Sequence, residues 1–228
     1  MVKIRWFGHS AFLVNIRGRK FLIDPWIENP LSPVKVSEVI SEPDFIIVTH
    51  DHGDHLGNAT DIMKGNNRVK LIAVFEIANH VAEQLGDSSR VIDANIGGPI
   101  DLGNGFFAVL THALHSSLHG HPTGVIVGAG DEVVYHAGDT GLTYDMKLIG
   151  ELYKPLVALL PIGGHYTMGP REAAKAVELI NPKYAIPMHY ATFPVIKGRP
   201  EDFVKHVNEL SLKAKVIVLK PGEEVELR

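Results

Sequence analysis

The sequence predicts an α+β fold in which two β-rich halves pack sheet on sheet, with helices outside. Two patterns point there. Short apolar runs bounded by Gly and Pro, read as antiparallel strands, give way to strand–helix alternation, and this succession occurs twice along the 228 residues. No sequence repeat and no linker separates the two passages. A single domain over 1–228 is therefore expected, with structural halves at about 1–121 and 122–228.

The elements follow from local chemistry. Residues 3–7, 11–16 and 20–24 are apolar-rich strands, with Gly18 turning the chain between the second and third. Asp24-Pro25 stops the third strand, and a Pro-containing loop follows to about residue 36. Residues 45–49 form a buried strand, 56–64 a helix and 69–74 another strand. Apolar side chains at Ile77, Ala78, Val81, Ala82 and Leu85 have helical spacing, and Gly86 ends that helix. A Gly-rich middle carries strands at 106–110, 123–127 and 132–135. Alternation then runs through a helix at 144–153, a strand at 156–160, a helix at Pro170–Ile180 with Pro in its first turn, a strand at 184–187 and a helix at 200–210. Strands at 216–219 and Glu224–Leu227 close the chain.

Composition removes several function classes. There is no cysteine, so disulfides, thiolate metal sites and cysteine nucleophiles are excluded. Formal net charge is −4 and no basic block occurs, which argues against a nucleic-acid-coating surface. No apolar stretch approaches the ~20 residues that span a bilayer, and the N-terminus lacks a signal-peptide core. A cytoplasmic protein is expected, with homo-oligomerisation left open. The unusual count is 13 histidines, spread from His9 to His206.

One hexapeptide concentrates them. In His50-Asp51-His52-Gly53-Asp54-His55, four metal-capable side chains follow the apolar run Phe45-Ile46-Ile47-Val48 with only Thr49 between. Imidazole nitrogen and carboxylate oxygen suit zinc, iron and manganese. Ionisable groups crowded at the end of a buried strand are costly unless something neutralises them. Other strand ends carry ligand-type residues too: Thr111-His112-Ala113-Leu114-His115, His136-Ala137-Gly138-Asp139-Thr140 and Met188-His189-Tyr190. Loops after strands are where α/β architectures place chemistry. Asp51 and Gly53 read as spacers within the hexapeptide.

Taken in order, the hexapeptide, His115, Gly138-Asp139-Thr140 and His189 resemble the metallo-β-lactamase superfamily. Gly8-His9-Ser10, Ile23-Asp24-Pro25 and Thr167-Met168-Gly169-Pro170 narrow the resemblance to a small branch of metal-dependent hydrolases related to ascorbate-6-phosphate lactonase-like proteins. The resemblance implies a four-layer αββα sandwich with two divalent metal ions, zinc foremost and manganese, iron or nickel also suited to His/Asp donors. His50, His52 and His115 would bind the first ion, Asp54, His55 and His189 the second, and Asp139 would bridge them. Among His112, His115, His119 and His121, it is His115 that fits the family pattern.

The chemistry so implied is hydrolysis of a phosphodiester or a lactone or ester by a bridging hydroxide, its parent water acidified towards ~7. Asp54 and Asp139 would orient the nucleophile, and His9 reads either as a buried, hydrogen-bonded histidine or as a pocket residue that donates to a substrate oxygen or acts as general acid. Asp24 is expected to hold a ligand histidine, and His165, a departure from the branch pattern, either to reach the substrate pocket or merely to fill a loop. Excess positive charge in the site suits a small, anionic substrate. Pocket loops are expected at 26–36, 112–122, 163–170 and 190–199. Two rival readings are a mono-iron oxygenase of the same fold, like persulfide dioxygenases, and a non-catalytic metal-dependent binding or regulatory module.

Overall fold

The computed structural model describes residues 1–228. Two seven-stranded mixed sheets form it. The first runs β14 (Glu224–Leu227), β1 (Val2–Trp6), β2 (Phe12–Ile16), β3 (Arg19–Ile23), β4 (Phe45–Ile47), β5 (Lys70–Val74), β6 (Val91–Ala94). The second runs β13 (Lys215–Val216), β12 (Tyr184–Met188), β11 (Val157–Pro161), β10 (Glu132–His136), β9 (Thr123–Ala129), β8 (Phe106–His112), β7 (Pro99–Asp101). In each sheet antiparallel hairpins come first, followed by strands paired in parallel.

Burial explains the layering. All seven residues of β9 and all five of β11 are buried, as strands covered on both faces must be. Helices cover the parallel strands: α1 (Val36–Val39), α2 (Gly53–Leu56), α3 (Ala59–Gly65) and α4 (Phe75–Leu85) along the first sheet's connections, and α5 (Asp145–Tyr153), α6 (Pro170–Ile180) and α7 (Pro200–Glu209) along the second's. α6 buries Ala173, Ala174, Ala176, Val177 and Ile180, and its small side chains admit α5 closely. A Cβ on Gly150 of α5 would fall 2.4 Å from the Ile180 carbonyl oxygen. One continuous hydrophobic cluster of 60 buried residues draws on both sheets. No helix is long and apolar enough to cross a membrane.

Three details depart from the sequence reading. The chain passes from the first sheet to the second between β6 and β7, not near residue 121, and β14 returns to the first sheet. The short α1, β6 and β7 carry too little periodicity to be read. The helix expected over 56–64 divides at Gly57: α2 starts within the hexapeptide at Gly53 and ends at Leu56, and α3 follows the break. Gly57 has φ 46°, and a Cβ there would fall 2.6 Å from the Trp26 backbone.

Strand direction assembles the site. β1, β3 and β4 run one way in the first sheet, and β8, β10 and β12 run one way in the second. The residues following their C-terminal ends include His9, Asp24, the hexapeptide, His115, Asp139 and His189.

Candidate metal centre

The hexapeptide leaves β4 extended, then turns. His52 has extended backbone and opens α2, so Asp54 and His55 stand on a helical turn while His50 and His52 stand on the strand extension. This change divides the donors. His50 Nε2 lies 3.0 Å from His52 Nδ1, and with His115 these rings form one group whose donor atoms lie within 4.8 Å of one another. His50 is fully buried. That burial, with His55 beside it, holds its imidazole well below the usual pKa, in the neutral form that binds metals.

A second group joins His9, Asp54, His55 and His189. His55 Nε2 is 3.8 Å and His189 Nε2 4.0 Å from Asp54 Oδ2. Asp139, on the turn after β10, stands between the groups. Its Oδ1 is 3.3 Å from His55 Nε2, and its Oδ2 is 3.6 Å from His115 Nε2 and 2.9 Å from His189 Nε2. Although burial raises its carboxyl, the His55 and His189 rings outweigh that and hold it well below the usual range.

These donors fit metal ions on chemical grounds. His55 Nε2, His115 Nε2 and Asp139 Oδ1 are buried without a hydrogen-bond partner, and the two ring nitrogens flank the Asp139 carboxylate, 3.3 Å from Oδ1 and 3.6 Å from Oδ2. Buried polar atoms are rarely left so. Every donor is an imidazole or a carboxylate, matching borderline divalent cations.

The surrounding contacts fix orientation. Asp24 accepts from His55 Nδ1 at 2.7 Å, leaving Nε2 aimed at the centre, and from the Thr49 N–H and hydroxyl at 2.8 and 2.7 Å. His136 is buried and accepts from the Gly138 N–H at 3.1 Å on Nδ1, so its Nε2–H donates to the Ser10 carbonyl at 2.9 Å. It thereby ties the turn carrying Asp139 to the turn carrying His9. The backbone N–H of His189 donates to the His9 carbonyl at 3.0 Å, joining the turn after β12 to the turn after β1.

His9 is fully buried and hydrogen-bonded behind Asp54, away from the cleft. Its Nε2 is 2.9 Å from Asp54 Oδ2 and its Nδ1 2.6 Å from the Thr192 hydroxyl. Burial pushes the His9 imidazole down to about 4, so a neutral ring accepts from Thr192 and donates to Asp54.

His52, Asp54, His115, Asp139 and His189 floor a cleft of about 480 Å³. Its walls include Ser116 and Tyr166 and the apolar run Phe193, Pro194 and Val195, and no Lys or Arg lines it. Three of the four expected loops supply these residues. The fourth contributes from behind, where Trp26 stacks on Phe193 at 5.8 Å. His165 is exposed and lines a neighbouring groove with Lys197, while Tyr166 beside it takes the place on the cleft. Exposed His112 pairs with Asp145 on the surface. Sequence reasoning missed Asp51, which is a buried acceptor for the loop after His115 and no spacer. It also missed Tyr166 and Ser116, for which no spacing signal existed.

Fold and donor set together define a metallo-hydrolase architecture. Residues 19–190 match the family model described as the beta-lactamase superfamily domain, and the chain belongs to the metallo-β-lactamase superfamily, in a branch of metal-dependent hydrolases. It is 54% identical over 222 residues to a UPF0173 metal-dependent hydrolase of Hyperthermus butylicus, covering 96% of this chain and 97% of the relative. Identity to the protein of the same description from Staphylothermus marinus is 56% over 229 residues, 98% of each. The solved structure of Igni18, a metallo hydrolase from Ignicoccus hospitalis, superposes with TM-score 0.92 at 44% identity, covering 100% of this chain and 99% of that one.

Proposed function

We propose that the chain hydrolyses an ester-type carbonyl, with a lactone or carboxylic ester favoured over a phosphodiester, using two divalent ions. His50, His52 and His115 would hold one ion, Asp54, His55 and His189 the other, with Asp139 between them. Zinc is the preferred metal, since three imidazoles with an open position match its catalytic sites. When bound, the ions would supply Lewis acidity and an acidified water.

The observation that carries the choice of substrate is the cleft wall. A phosphodiester keeps its charge throughout and is usually met by Arg or Lys. Here no cationic side chain is present, and Phe193, Pro194 and Val195 offer an apolar surface. Such a wall seats an acyl group and sheds water from it. The Ser116 and Tyr166 hydroxyls are the neutral O–H donors on the cleft, placed to bind substrate oxygens. Asp54, held from behind by His9, keeps a fixed carboxylate at the floor. His9 thus acts through Asp54, and proton delivery to the leaving oxygen falls to groups on the cleft itself.

Elemental analysis of the purified protein, followed by a hydrolysis panel with the metal found, tests this. Two ions per chain and turnover of lactones or aryl esters ahead of bis(p-nitrophenyl) phosphate are expected. Faster phosphodiester cleavage would reverse the substrate choice. One iron per chain with oxygen uptake would favour the oxygenase reading instead.

A further inference from the structure

Asp51 lies between two ligand-type histidines, yet it points away from the donors. Its side chain is 2% exposed. One oxygen accepts from the Ser117 hydroxyl and the Leu118 N–H, each at 2.7 Å. The other accepts from the His119 N–H at 3.0 Å and from the His119 ring. The His119 ring stacks on His80 of α4 at 4.3 Å, and His80 Nε2 lies 2.8 Å from Gln84 Nε2. A carboxylate that takes four donors from three consecutive residues organises that segment.

The other end of the segment is fastened as well. The Leu114 N–H donates to the Thr140 hydroxyl at 3.0 Å, and the Gly141 N–H donates to the Leu114 carbonyl at 3.1 Å. His115 and Ser116 are therefore the two residues suspended between the anchors. One anchor adjoins Asp139, and the other lies inside the hexapeptide. The loop between β8 and β9 has no regular structure of its own to aim His115.

We propose that Asp51 is a positioning residue that sets His115 as the third ligand of the first metal group and Ser116 on the cleft wall. This rests on the two-ion reading above. Asp51 touches no donor to the second group, so its loss acts on one ion only.

The test is metal titration with zinc, read by competition with a chromophoric chelator, on wild type and Asp51→Ala. Wild type is expected to bind two ions. Asp51→Ala is expected to keep one at wild-type affinity and to bind the other about 10–100-fold more weakly, the usual cost of losing an outer support of a ligand. Ser117→Ala and His119→Ala each remove part of the support, so each should weaken the same ion by less. They also stand in if Asp51→Ala does not fold. Limited proteolysis of the zinc-free variants should open the chain within 113–122 before any other loop. Two ions at wild-type affinities in Asp51→Ala, or in both substitutes, overturn the proposal. Equal weakening of both ions overturns it too, because that is what a general loss of structure gives. A wild type that binds no zinc would fail the two-ion reading itself, which is a separate outcome.

Discussion

Asp24 Oδ2 and His55 Nδ1 lie 2.7 Å apart, and both side chains are fully buried. The contact fixes the tautomer of His55, because a proton on Nδ1 leaves Nε2 free to face Asp139. Asp24 has φ 48°, a left-handed turn that lets the chain end β3, present the carboxylate backwards to Thr49 and His55, and enter the loop at Pro25.

Replacing Asp24 with Ala should therefore cost both metal and fold. The second ion would bind about 10–100-fold more weakly. Thr49 and His55 would be left with unanswered buried donors, and removing one partner of such a buried pair costs about 3–5 kcal/mol. Denaturant unfolding of the metal-free protein reads the second effect, and chelator competition reads the first. Asp24→Asn keeps an oxygen for Thr49, so it should recover part of the stability and less of the metal affinity.

The pH dependence of the metal-free protein follows from its buried imidazoles. Burial lowers His9 to about 4 and also lowers His50 and His136. Each is neutral in the folded chain while its unfolded counterpart takes a proton below the usual 6.5. The unfolded state then binds more protons, so stability falls as pH drops from about 6.5 towards 4. His55 is shifted the other way, since Asp139 and Asp24 overcome its burial. Below 6.5 it is protonated in both states and adds no slope; its contribution is lost only as pH rises through its elevated folded value. Denaturation midpoints of the chelated protein should accordingly decline between pH 6.5 and 4. A flat profile would contradict neutral, buried His9 and His50.

Much of this site is legible in the sequence because ligand chemistry needs rare residues at strand ends. His50, His52, Asp54, His55, His115, Asp139 and His189 converge as a group, and Asp24 stands behind His55. Antiparallel runs followed by alternation likewise give the two sheets. What stayed hidden depends on contacts between distant segments. Asp51 binds residues 66–68 positions away, which no local pattern encodes. His9 and His165 show that adjacency is a weak guide to direction. His9 has φ 51° and turns inward behind Asp54, while His165 has φ 63° and turns outward, leaving Tyr166 on the cleft. The break at Gly57 was hidden for the same reason, because it answers to the Trp26 backbone rather than to helix propensity.

The exchange of Tyr166 for His165 at the cleft is testable in kinetics. Tyr166→Phe keeps the ring and removes the hydroxyl. Losing one hydrogen bond to substrate costs about 1 kcal/mol, or roughly fivefold in kcat/KM on the ester or lactone that turns over. His165→Ala should leave those constants within twofold on the same substrate, roughly the error of such comparisons. If His165→Ala is the damaging change and Tyr166→Phe is silent, then His165 and not Tyr166 lines the cleft.

Gly57 should be the most sensitive glycine around the hexapeptide. Its φ of 46° is strained for an L side chain, and a Cβ would fall 2.6 Å from the Trp26 N and Cα and 2.7 Å from the Pro25 carbonyl oxygen. Those are backbone atoms, so they cannot swing aside. The Pro25 carbonyl also accepts from the Asn58 N–H at 2.9 Å, and the Asn58 side chain accepts from the Ile27 N–H at 3.0 Å, so moving this strand of chain breaks bonds on both sides. Gly57→Ala is therefore expected to destabilise by more than the ~1 kcal/mol of conformational preference alone. Trp26 also stacks on Phe193, so displacement there should reach the apolar wall of the cleft and raise KM. Gly53, two residues before His55 on the shared turn, meets nothing within 4 Å at its Cβ position. Gly53→Ala should be tolerated, and comparing the two by thermal unfolding and by KM separates tight backbone approach from any general intolerance of the motif.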